Sequence, residues 1–273
     1  MTDGQPPAVR LERASLRLGG RPIWTDVSLA VASGELLAVM GPNGAGKTSL
    51  LRAVLGLQRL NAGTVQVGGR APRPGNPAIG YVPQQRAFDP DLPIRGRDLV
   101  GFGLDGHRWG VTLRPEAARR RIDSILALLD AADYADAPIG RLSGGEQQRL
   151  RIAQALIGDP TLLLCDEPLL SLDLHFQQVI VQLIADWNRS RGATVLFVTH
   201  DINPLLPVVD RILLLAGARW AAGSPDEILT SETLSRVYGL PVEVLRHRGR
   251  VLVVGAELGG HEPVLAAHGD VSE

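Results

Sequence analysis

Along the first forty residues, apolar positions alternate with polar ones and then run together. Val9 and Leu11, with a return at Leu16 and Leu18, mark one face of a strand that ends at Gly19-Gly20-Arg21-Pro22. Residues 24–31 read as its partner, with Val27, Leu29 and Val31 on one face. Residues 36–40 are apolar throughout, the pattern of a strand covered on both sides. A helix is predicted at 47–55, and short strands at 64–67 and 79–82. Ile122, Ile125, Leu126 and Leu129 recur at three and four residues, which predicts a helix over 114–129. A second helix starts near Gly144 and is stopped by Gly158-Asp159-Pro160. Strand 162–165, helix 177–188 and strand 194–198 follow as βαβ alternation, which favours a parallel sheet. Ser224-Pro225-Asp226-Glu227 has the form of a capped helix start. Strands 242–245 and 251–254, split by Arg248-Gly249, predict a hairpin, and the tail from Ala256 is expected to be mobile.

Composition narrows this picture modestly. A chain of 273 residues with 45% hydrophobic and 21% charged residues supports one large α/β domain with a small appendage. A net charge of −1 argues against a nucleic-acid partner held by counterion release. No apolar run approaches the roughly 20 residues that cross a bilayer, and the N-terminus lacks signal-peptide features, so a cytosolic location is expected. Cys165 is the only cysteine, which excludes an internal disulfide, and its apolar strand suggests a structural role.

Three strings carry chemistry. GPNGAGKT (41–48) lies between an apolar strand and a helix, the context of a phosphate loop. Gly41, Gly44 and Gly46 free the backbone to wrap a triphosphate with N–H donors, and the helix N-terminus faces the same anion. Lys47 would bridge the β- and γ-phosphates, and the Thr48 hydroxyl would ligate Mg²⁺. LLLCDEP (162–168) sets Asp166 and Glu167 at a strand end, where open α/β sheets bind ligands. Asp166 would organise the metal and Glu167 the attacking water, although Asp-Glu-Pro also reads as a helix cap. LSGGEQQR (142–149) opens another helix at Ser143, Gly144 and Gly145. It satisfies a capping box, yet it also offers a second anion site. One triphosphate has no need of two helix starts from one chain, so the second site makes sense closing on a neighbour's nucleotide.

The phosphate loop, Tyr81-Val82-Pro83-Gln84, LSGGEQQR, LLLCDEP, Ser171-Leu172-Asp173 and Val198-Thr199-His200-Asp201 stand in the order of the ATP-binding subunits of ABC transporters. The chain resembles that family over roughly 9–245. The resemblance implies a P-loop NTPase fold: a mixed α/β sheet core, an antiparallel β subdomain and an α-helical signature subdomain at about 90–158. It places the ATPase domain at 8–245, and the hairpin end and tail at 246–273. It implies ATP and Mg²⁺ as cofactors, with ATP held by Gly41, Pro42, Asn43, Gly44, Ala45, Gly46, Lys47, Thr48, Ser49 and Gln84. The Mg²⁺ ligands would be Thr48, Gln84 and Asp166, and the catalytic residues Glu167 and His200. Ser143, Gly144, Gly145 and Gln147 would meet ATP on the opposite subunit, and Asp173 would communicate across the dimer. The implied partners are a second copy of the chain, transmembrane permease subunits and, indirectly, an extracytoplasmic solute-binding protein. The implied location is peripheral, on the cytoplasmic face of the membrane.

One position departs from the family: Leu18 stands where an aromatic residue usually stacks on adenine, so base selectivity is expected to loosen. Trp24 is expected in the core. Residues 79–110, with Asp89, Asp91, Pro93, Asp98 and Gly103, are similar to the zinc, manganese and iron(II) uptake branch, although Gly96 is unusual there. That similarity implies an importer of a divalent metal, zinc or manganese ahead of iron. An exporter, or a soluble ribosome- or DNA-associated ATPase, is the alternative. His247, His261 and His268 are too scattered to predict a metal site.

Overall fold

The computed structural model describes residues 6–84, 88–106, 114–170 and 172–255. Ser171, the expected mobile tail with His261 and His268, and parts of the 79–110 segment lie outside the described residues.

The chain begins with β1 (Val9–Leu18), β2 (Arg21–Val31), β3 (Leu36–Met40), α1 (Lys47–Val54), β4 (Ala62–Val67) and β5 (Ile79–Val82). Three helices follow: α2 (Gly96–Asp105), α3 (Glu116–Leu128) and α4 (Gly144–Leu156), the last preceded by a 3-10 turn at Ile139–Arg141. Next come β6 (Leu162–Asp166), α5 (Leu174–Arg191), β7 (Thr194–Val198), β8 (Arg211–Ala216) and β9 (Arg219–Gly223). The described chain closes with α6 (Pro225–Ile228), α7 (Ser231–Tyr238) and the hairpin β10 (Val242–His247) and β11 (Arg250–Gly255).

The central sheet has the order β5-β6-β7-β3-β8-β9, parallel except for the β9 edge. A separate antiparallel sheet has the order β2-β1-β4. The mixed core, antiparallel subdomain and helical segment match the expected fold. The wholly apolar strands explain the layering, because successive side chains face opposite ways. Leu37, Val39, Leu164, Leu196 and Val198 face α1 and the antiparallel sheet, joining Leu16, Trp24 and Leu50. Their neighbours Leu36, Ala38, Leu163, Cys165 and Phe197 face the other side, against Ile125, Leu150, Ile152 and Ile180 from α3, α4 and α5.

Three elements differ from expectation. Helix α5 begins at Leu174, earlier than 177, because the Asp173 side chain accepts the Phe176 N–H at 2.9 Å and caps the helix. Helix α2 forms within a glycine-containing segment that gave no helical signal. The glycines are what let it sit on α4: a Cβ on Gly103 would overlap the Gln154 carbonyl. The β8–β9 pair extends the sheet beyond the alternation read from the sequence. The hairpin appears as expected, and Val242 and Val251 join the larger core, so a boundary at 245 runs through it. Asn203 holds its edge, accepting from Val251 N at 2.7 Å and donating to Val251 O at 3.0 Å. No helix among the described residues is long and apolar enough to cross a membrane.

Candidate active site

Strand β3 runs into the 41–48 loop, whose backbone requires glycine. Gly41, Gly44 and Gly46 all have positive φ, and a Cβ on Gly46 would collide with Ile23 and Trp24. Helix α1 has no side-chain cap and no acidic residue in its first turn, so its N–H groups stay available to an anion. Lys47 is 6% exposed and donates from Nζ to the carbonyls of Gly41 at 2.8 Å and Pro42 at 3.1 Å. Burial lowers its pKa, while Glu167 and Asp166 act in the opposite direction. Leu18, Ile23, Asn43, Gly44, Gly46, Lys47, Thr48, Ser49, Gln84 and Glu167 line one cleft of about 380 Å³. Pro42 is exposed beside it, and Ala45 is buried beneath. Leu18 is thus at the cleft and Trp24 is in the core, 1% exposed.

Strand order explains the acidic edge. Gln84, Glu167 and His200 follow the C-terminal ends of β5, β6 and β7, three adjacent parallel strands. They converge on one carboxylate. The Gln84 amide donates to Glu167 Oε2 at 3.1 Å, and His200 Nε2 lies 2.5 Å from Glu167 Oε1. Glu167 takes a left-handed backbone, φ +54°. Its neighbour Asp166 is buried, and its Oδ1 accepts the Thr48 hydroxyl at 3.1 Å. Burial raises the Asp166 pKa, and Glu167 adds to this; the Thr48 hydrogen bond, Arg52 and Lys47 oppose it. Tyr81 faces the same carboxylate, and burial with that charge pushes its phenol to about 12. Asp166 Oδ2 is buried without a hydrogen-bond partner among the described residues. An unpartnered carboxylate oxygen beside a threonine hydroxyl fits a hard cation and its water shell.

The signature residues stand elsewhere. None of residues 143–145 lines the Lys47 cleft. Ser143 N and Oγ both donate to Glu146 Oε2 at 2.7 Å, completing the capping box. Gln147 differs from its expected place at a neighbour's nucleotide. It is 5% exposed, and its amide donates inward to the carbonyls of Leu142 at 2.9 Å and Ile139 at 3.1 Å. It shapes the turn before α4 and does not face outward. Asp173 is occupied as the α5 cap. Gln148, which sequence reasoning did not single out, bonds the Pro168 carbonyl at 3.1 Å. Its only signal was a second glutamine on a helix face that packs inward.

Comparison with known proteins gives the same reading. The family model described as ABC transporter matches residues 24–170. The manganese transport system ATP-binding protein of Bacillus subtilis is 35% identical, over 85% of this chain and 92% of its own length. The zinc transport system ATP-binding protein of Treponema pallidum is 37% identical, over 85% and 87%. The hemin import ATP-binding protein of Rhodococcus jostii is 35% identical, over 90% and 87%. Among solved structures, a metal-chelate type ABC transporter in an inward-facing conformation aligns at TM-score 0.77 and 26% identity, covering 93% of this chain and 99% of that one. A dimeric ATP-binding cassette bound to ADP and Pi aligns at TM-score 0.67 and 28% identity, over 78% and 97%. A glycine loop opening onto helix α1, an unpartnered Asp166 oxygen beside the Thr48 hydroxyl, and relatives of nearly full length agree: the chain belongs to the ABC transporter family, as an ATP-binding subunit that hydrolyses ATP with Mg²⁺.

Proposed function

We propose that two copies of this chain close around two ATP molecules and drive a membrane importer for a divalent metal. The observation that carries the catalytic part is the meeting of Gln84 and His200 on the Glu167 carboxylate. A γ-phosphate entering between them is a stronger acceptor for the amide and imidazole N–H groups. Their transfer to it frees Glu167 to orient water and take its proton. Lys47 exchanges two neutral carbonyls for phosphate oxygens, and the α1 N–H groups take the rest of the anion. Thr48 and Asp166, with Gln84 beside them, would hold Mg²⁺, which would supply charge neutralisation on the phosphate oxygens. Ser143, Gly144 and Gly145 of one copy complete the site of the other, and Asp173 lies at the junction between copies. The chain then sits peripherally on the cytoplasmic face, against permease subunits served by an extracytoplasmic binding protein.

Glu167→Gln should bind ATP, turn it over at least about a hundredfold more slowly and accumulate as a dimer, because the amide keeps the shape but cannot accept the proton. Size-exclusion chromatography with ATP and a hydrolysis assay test this. A monomer at high concentration, or near-normal turnover, overturns the assignment.

The manganese and zinc names of the relatives, with the 79–110 similarity, support metal as cargo. Elemental analysis of deletion and complemented cells tests it: loss of zinc or manganese under starvation is expected, unrestored by Lys47→Ala. A chelated metal is the second reading, favoured by the hemin import relative and the metal-chelate type neighbour. Growth on hemin as sole iron source separates the two.

A further inference from the structure

Gln148 is fully buried, 0% exposed, although it carries a primary amide. Its Nε2 donates to the carbonyl of Pro168, the residue after Glu167. Its Oε1 is buried with no hydrogen-bond partner among the described residues. A half-satisfied buried amide is less favourable than an apolar side chain of the same shape, so the bond to Pro168 is the one compensation its amide has among the described residues. The next residue reaches the far end of the same loop. The Arg149 guanidinium lies 4.1 Å from the Phe176 ring in the first turn of α5, and 5.2 Å from the Tyr134 ring. The Phe176 N–H is the one Asp173 caps. Between these anchors, Gly145 faces Leu172, and Gln177 Nε2 donates to the Leu172 carbonyl at 3.1 Å. The opening turns of α4 therefore hold Pro168 at one point and Phe176 at another.

We propose that Gln148 and Arg149 are positioning residues. They tie the anion-binding start of α4 to this chain's own catalytic loop, so that nucleotide held by the partner is felt at Glu167. The inference rests on the ATP-sandwich reading above. Gln148 stands five residues past Ser143, about 7.5 Å along a rigid helix axis, so a shift of the helix start arrives at the Pro168 carbonyl little diminished. In a two-fold dimer each chain carries one such link, and the two ATP sites become coupled in both directions.

The test is ATP hydrolysis by the full chain across ATP concentrations, with binding of a fluorescent ATP analogue measured on the same protein. The wild type should show a Hill coefficient of about 2. Gln148→Met fills the same volume without the amide. It should keep analogue affinity, lose roughly ten- to a hundredfold in kcat, and fall to a Hill coefficient of about 1. Phe176→Leu removes the surface under Arg149 without touching Gln148, and its Hill coefficient should fall as well; it decides the matter if Gln148→Met does not fold. Variants as cooperative as the wild type overturn the link. So does a Gln148→Met chain that loses its melting transition and analogue binding while Phe176→Leu stays cooperative, because the amide is then purely structural. A non-cooperative wild type instead overturns the sandwich reading itself.

Discussion

Cys165 is fully buried in β6, and burial, with the neighbouring Asp166 charge, raises its thiol pKa far above the ordinary range. Only thiolate reacts with alkylating reagents, so the native chain should stay unmodified by iodoacetamide at neutral pH and become fully labelled in guanidinium. Mass spectrometry before and after unfolding checks this. Leu18 is 42% exposed at the cleft, beside Ile23. An aliphatic side chain covers a base without π-stacking, so Leu18→Tyr should tighten ATP binding by roughly 1–3 kcal/mol and sharpen preference over GTP. Competition binding of the two nucleotides is the measurement. At this scale the sequence was legible wherever chemistry fixes residue type, as for Lys47, Asp166 and Glu167. It was not legible for Gln147, because an inward glutamine and an outward one look alike until the helix is packed.

Among elements, strands read most clearly where burial is two-sided: 36–40 and 194–198 appear with the expected bounds as β3 and β7. The strand order β5-β6-β7-β3 was not legible, yet it alone brings Gln84, Glu167 and His200 together. Helix α2 escaped because Gly96, Gly101 and Gly103 lower its helical propensity, and tertiary packing supplies what propensity lacks. That packing makes a prediction. Gly103→Ala forces α2 off the Gln154 carbonyl, and the overpacked interface should lose about 1–3 kcal/mol. Calorimetry should show the fall as a drop of several degrees in Tm, and an unchanged Tm would mean that the two helices can separate freely.

For the molecule as a whole, the proposed function needs a surface whose second half is another copy of the chain. Ser143→Arg places a bulky cation at the start of α4, away from the Lys47 cleft. ATP binding to the single chain should survive, while dimer formation with ATP and cooperative hydrolysis are lost. Light scattering and an ATP-binding titration on the same sample check it, and loss of binding by the monomer would mean that Ser143 acts within its own chain. The capping box already visible at Ser143 was readable from sequence. The proposed use of Ser143 at a partner's nucleotide rests on the resemblance, since periodicity describes one chain and cannot show what two chains make between them.

Glu167 holds a left-handed backbone, φ +54°, a region where L side chains are strained and glycine is at ease. Glycine would be the more comfortable residue there, and it would remove the carboxylate on which Gln84 and His200 meet. Selection for turnover and selection for heat resistance thus pull this codon in opposite directions. A laboratory screen that rewards survival at high temperature alone would be drawn toward a position where its winners keep their shape and stop working.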